Sequence, residues 1–193
     1  MEEESLETYN VRRVVTGLGE TGRSRVIFDG VPPARLASSQ SGPTAFSLWQ
    51  TPGPHASNEG AEDAASKPFD LSLAFGATKF LTTWFPAAPD AAQLSPEERA
   101  RWARATSNVS PAYRTPSDHP GMHMTPTVDY IVIVRGELTL VLEDGECTLR
   151  AGDVAIDRGV AHAWENRGTE PAVLVAVVVD AAPIGPGAMA SAR

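Results

Sequence analysis

What most constrains the fold of this chain is its punctuation. Short runs rich in Val, Ile, Thr and aromatic residues recur along it, each closed off by Gly, Pro or Asp. Runs of that length and spacing read as strands rather than as faces of helices. They fall at 11–16, 23–28, 44–50, 78–85, 128–134, 138–142, 146–149, 154–157 and 172–179. So many short strands imply an all-β sandwich or barrel. Asp144-Gly145 stands between "LTLVLE" and "ECTLR" and predicts a two-residue hairpin turn, with positive φ at both central positions. The flanking strands are then antiparallel neighbours.

One segment breaks the pattern. In "SPEERARWARA" Ser95 can cap a helix, Pro96 suits its first position and Glu98 completes a capping box. This predicts a short helix within an insertion at 86–116, either a surface filler or a lid over a pocket mouth. Gly, Pro, Ser and Asn crowd residues 51–68, a loop in which His55 is an exposed bystander, and the tail 181–193 has little to pack against.

A length of 193 residues suits one domain, residues 1–193, with a sizeable core. No apolar run approaches the roughly 20 residues that span a bilayer, and "MEEES" lacks the basic start and apolar middle of a secretory signal. The expected place is the cytoplasm, with no membrane partner. A formal charge of -8 repels phosphate backbones, which argues against nucleic acid as a partner. Cys147 is the only cysteine, so no internal disulfide or Cys-Cys metal pair can form, and its place in "ECTLR" predicts a small core hydrophobe. The chain has no phosphate-cradling loop with a Lys, no dinucleotide fingerprint and no nucleophile elbow. Nucleotide cofactors, hydride transfer and serine hydrolysis have no support.

The segment "GMHMTPTVDYIVIVRGEL" carries the chemistry. If pleating is unbroken, His123, Thr125, Asp129, Ile131 and Ile133 share a face, although Pro126 can interrupt it. His162, behind Gly159 on another strand, can join that face, and Trp164 follows it at the same parity. The apolar run "YIVIV" after Asp129 suggests a strand buried on both faces, and hence a paired or protonated carboxylate. Met122 and Met124 flank His123 and should turn away as packing groups. Tyr130 alternates away from Asp129 and suits core or interface. On "TKFLTTWFP", Lys79, Leu81, Thr83 and Phe85 form one face and Phe80, Thr82 and Trp84 the other; either could point inward.

Residues 117–179 resemble the cupin family. His123 takes the first His place of the family's first motif, Thr125 the second, and Asp129 the Glu place, with Gly136 following after six residues. "GDVAIDRGVAHAWEN" supplies the second motif as Gly152, Asp153, Gly159, His162 and Asn166, with Arg158 near the usual proline place. The resemblance implies a double-stranded β-helix (jelly-roll) barrel, with extra N-terminal strands in 10–85. It further implies a divalent metal, such as iron, manganese, nickel or zinc, on His123, Asp129 and His162, a two-histidine, one-carboxylate set with open positions. Thr125 stands where an imidazole is usual, and Asp129 is one methylene shorter than Glu, so Asp129 is either ligand or base. His119 can add a third imidazole if the chain bends at Pro120-Gly121. Thr125, Arg158 and Trp164 are candidate substrate contacts. The family also implies a homodimer.

The expected function is an enzyme acting on a small oxygenated metabolite, by elimination, decarboxylation, isomerisation or cyclisation. An Fe(II)-dependent dioxygenase is the alternative within the class, and a metal-free metabolite-binding protein is the alternative outside it.

Overall fold

The computed structural model describes residues 9–37, 43–60, 62–67, 72–87, 95, 119 and 121–184. Their regular structure is strand apart from one 3-10 turn: β1 (Arg13–Leu18), β2 (Ser24–Gly30), β3 (Arg35–Ala37), β4 (Thr44–Thr51), β5 (Thr78–Phe85), β6 (Thr127–Arg135), β7 (Glu137–Leu142), β8 (Glu146–Arg150), β9 (Val154–Asp157), β10 (His162–Glu165) and β11 (Ala172–Asp180). The all-β expectation holds. β3, of three residues, is too short to announce itself by alternation, and β10, with the sequence HAWE, lacks the Val, Ile and Thr that mark the others. The helix expected from Ser95 lies outside the described residues apart from Ser95 itself.

The strands form a six-stranded sheet in the order β3-β4-β5-β11-β6-β9, a three-stranded sheet β10-β7-β8, and the hairpin β1-β2. Every pairing is antiparallel. Leu81 and Phe85 of β5, Ile131 and Ile133 of β6, and Leu174, Ala176 and Val178 of β11 make one core with Leu138 and Leu149 of the smaller sheet. Fully burying side chains of this size contributes about 1.5–3 kcal/mol each. The closed barrel implied by the resemblance is here two facing sheets. They are stitched at one point by a two-way backbone pairing of His123 and His162, each N–H donating to the other's carbonyl at 2.9 Å.

Burial on both faces of "YIVIV" is not what the structure has. Ile131 and Ile133 are buried, whereas Tyr130, Val132 and Val134 are exposed, because among the described residues only the inner face of this sheet meets the smaller sheet. Cys147 is also exposed rather than core. It shares the parity of buried Leu149 but sits on edge strand β8 near the hairpin tip. That hairpin differs in detail from the expected one. Leu142 donates to the Gly145 carbonyl at 3.0 Å, Gly145 alone has positive φ, at 91°, and the turn centres on Glu143-Asp144. Gly145 takes the left-handed position after the turn, so Asp144 does not need it.

The loop after β4 is anchored at Asp63. Asp63 accepts the Ala65 N–H at the start of a 3-10 turn (Ala64–Ser66) and pairs with Arg13, which also donates to the Leu48 carbonyl. The β1-β2 hairpin is thereby tied to its own chain. His55 is exposed, as expected.

Candidate functional site at the junction of the two sheets

The site is built where the stitch joins the sheets. Pro126 interrupts the strand as expected: the Thr127 N–H turns back to the Thr125 carbonyl at 2.8 Å. Inward direction survives the break, with Thr125 and Thr127 both buried and their hydroxyls 2.7 Å apart. Gly159 makes the crossing possible. Its φ is +71°, and a Cβ there would lie 3.0 Å from the Thr125 carbonyl oxygen and 3.1 Å from that of Thr127.

His123 and His162 therefore face each other with ring centroids 4.4 Å apart. The Nδ1–H of His123 donates to the Gly121 carbonyl at 3.0 Å. That of His162 is shared between Asp157, at 2.8 Å, and the Val160 carbonyl, at 3.0 Å. Tying back Nδ1 leaves Nε2 as the outward nitrogen of each ring.

Asp157 was not anticipated, and it organises the site. It is buried, and its other oxygen accepts the N–H groups of Gly159 at 2.7 Å and Val160 at 3.3 Å. It pairs directly across the strands with Asp129. The available signal was parity: Asp157 ends its strand on the face of Ala155, opposite Asp129.

The electrostatics divide the four groups. Burial alone would raise the Asp157 carboxyl, but the bond and charge of His162, with the two backbone N–H groups, bring it below its ordinary value. Burial alone would lower His162, but Asp157 outweighs that and holds it above. His123 is pushed down to about 4, first by burial and then by the charge of His162. Burial raises Asp129, the Thr127 hydroxyl opposes this, and the charge of Asp157 adds to it; the net shift is upward. One Asp129 oxygen is buried with no hydrogen-bond partner. Such an atom is costly unless it holds a proton or waits for a ligand.

These groups fit a divalent ion in part. Metal-bound imidazoles usually donate their second nitrogen to a carboxylate or carbonyl, as both rings do here. Asp129 is the electrostatic neighbour of His162, yet among the described residues no group of three His, Cys, Asp or Glu stands in a metal-holding arrangement.

The other candidates lie as follows. His119 is not an open third imidazole. Its Nε2 meets Glu165 at 2.7 Å and its Nδ1 accepts the Gly121 N–H at 3.1 Å. Trp164 packs partly buried against the core, and Arg158 is exposed one residue past β9. Met122 is buried as expected, but Met124 is 49% exposed rather than packed. Of the two faces of β5, the one bearing Lys79 and Leu81 turns inward, with Lys79 in register with Val178, which neighbours Asp129. Asn166 is structural, donating to the carbonyls of Pro86 and Glu170 and accepting from Gly168.

Residues 115–178, which hold all four groups of the cluster, match the sequence profile of the family described as "Cupin domain". This segment is a cupin domain. Relatives of the cupin segment include the phomopsin biosynthesis cluster protein C' of Diaporthe leptostromiformis, 46% identical over 33% of this chain and 34% of that protein. The oryzines biosynthesis cluster protein J of Aspergillus oryzae is 42% identical over 36% of this chain and 40% of its own length. The cupin-domain-containing oxidoreductase virC of Hypocrea virens is 39% identical over 33% and 34%. The matched region thus spans about a third of the length of these curated relatives. Among solved structures, the cupin domain of Schizosaccharomyces pombe Cnp3 is similar over 89% of each chain, at 12% identity and a TM-score of 0.43. Among the described residues no helix is long and apolar enough to cross a membrane.

Proposed function

We propose that this cupin domain is an enzyme of small-molecule metabolism that acts at the His123–His162 cluster on a small oxygenated compound, a carboxylate or an enolisable carbonyl. The observation that carries this reading is the pairing of two imidazoles, each with Nδ1 tied back, beside the half-buried Asp129 carboxyl, one oxygen of which is buried and bare. A divalent ion held by His123 and His162 would polarise the substrate's oxygen as a Lewis acid. Asp157 holds the His162 ring in place. His123, with its depressed pKa, is neutral at pH 7. Asp129, shifted up by burial, is suited to exchanging a proton with the substrate. Together these residues suit proton transfer beside a carbonyl, as in elimination, decarboxylation, isomerisation or cyclisation.

Oxidative chemistry is the second reading. It is favoured by relatives that are named cupin-domain oxidoreductases, from Hypocrea virens, Neurospora crassa and Aspergillus ruber. The test is metal content per chain in the wild type, His123→Ala and His162→Ala, followed by turnover of candidate ketoacids with dioxygen uptake monitored. Near-stoichiometric metal that both variants lose is expected, with Asp129→Asn keeping metal but losing turnover. Failure to take up any divalent ion, even under anaerobic loading with Fe(II), would sink the metal part. Uptake of dioxygen coupled to turnover would move the reaction to the second reading.

A further inference from the structure

His119 has no role in the chemistry above, yet both its ring nitrogens are engaged in a chain of hydrogen bonds that ends on His123. The ionised Glu165 carboxylate accepts from His119 Nε2 at 2.7 Å, which places the ring proton there and leaves Nδ1 as an acceptor. That Nδ1 receives the Gly121 N–H at 3.1 Å. The carbonyl of the same residue, Gly121, accepts the Nδ1–H of His123 at 3.0 Å. Every bond in the sequence Glu165, His119, Gly121, His123 therefore has a set direction, and Nε2 of His123 is left with its lone pair.

Two further observations show that the arrangement is built. Glu165 is clamped from its other side by Arg167 at 2.5 Å, and Arg167 is itself held by Glu146 at 2.8 and 3.0 Å. His119 and Met122 close a turn, the Met122 N–H donating to the His119 carbonyl at 3.1 Å. This folds the ring so tightly over Gly121 that a Cβ there would meet it at 3.3 Å.

We propose that His119 is a positioning residue, which Glu165 orients and which, by holding Gly121, fixes the ring orientation and tautomer of His123. The inference rests on the functional reading of His123 given above. Losing an outer partner of this kind typically weakens metal binding by about 10- to 100-fold.

Two variants of similar size separate positioning from simple structural pairing. In His119→Asn the amide oxygen replaces Nδ1 and accepts from Gly121, but the contact with Glu165 is lost. In His119→Gln the amide nitrogen replaces Nε2 and donates to Glu165, but the acceptor for Gly121 is lost. The first readout is the ring-nitrogen NMR pattern of His123 in metal-free protein, and the second is affinity for Co(II). His119→Asn should keep the Nδ1–H tautomer and bind within about threefold of wild type. His119→Gln should mix the tautomers and lose about tenfold or more. Equal behaviour of the two variants, or an unchanged His123 pattern in His119→Gln, overturns the proposal. If wild type does not bind Co(II), the metal reading fails on its own, while the NMR comparison still decides this one.

Discussion

Replacing Asp157 with Ala tests the electrostatic account most directly. The carboxylate is nearly inaccessible, with side chains 4% exposed for Asp157 and 3% for His162. The substitution removes a charge-assisted bond to His162, worth about 1.5–3 kcal/mol. The imidazole N–H keeps the Val160 carbonyl at 3.0 Å, so it is not left wholly bare. The buried Gly159 N–H, which donates at 2.7 Å, loses its partner at a cost of about 1–3 kcal/mol. The Val160 bond, at 3.3 Å, adds little. The two terms add to about 2.5–6 kcal/mol, which brackets the roughly 3–5 kcal/mol seen when one partner of a buried ion pair is removed. Urea unfolding followed by tryptophan fluorescence should show the unfolding free energy falling by that amount, as a lower midpoint with the slope unchanged. Asp157→Asn keeps the shape but not the charge, so it should cost less and should lower the His162 titration midpoint seen by NMR, because Asp157 is what raises it. A loss under about 1 kcal/mol in Asp157→Ala, or a His162 midpoint unmoved in Asp157→Asn, would refute the reasoning.

Glu165 is held at about 2, first by its bond from His119. A depressed carboxylate contributes stability that is present above its ordinary value of 4.5 and is lost as pH falls through 2, so Glu165→Gln should flatten the melting temperature's fall between those limits. The inward parity of β6 predicts that Ile133→Ala, at a fully buried position, costs about 2–5 kcal/mol in denaturant unfolding. Exposed Val134→Ala should stay within about 0.5 kcal/mol, and similar costs for the two would overturn the register. Gly159→Ala puts a side chain at φ +71° against two carbonyl oxygens, and should cost about 1–3 kcal/mol by the same assay. Cys147 should react at once with a thiol reagent in native protein; protection until unfolding would contradict its exposure.

Much of this molecule was written in local pattern. Alternation and turn residues specify the strands now seen as β1, β2, β4 to β9 and β11, because each depends on a few neighbouring residues. The spacing of His123 and His162 within their motifs is likewise local, and it marked both histidines. What the chain could not reveal is what meets them. Asp157 becomes the partner of His162 only because β9 pairs with β6 in the register that sets it opposite Asp129. His119 looks like a spare ligand until the turn at Gly121 folds its ring onto a peptide and Glu165 arrives from β10. Alternation alone left both faces of β6 and of β5 equally eligible for the core. That choice, and with it the burial that moves Asp129 and His123 off their ordinary pKa values, depends on which face the second sheet covers. Covering is a long-range event, decided by residues far apart in sequence.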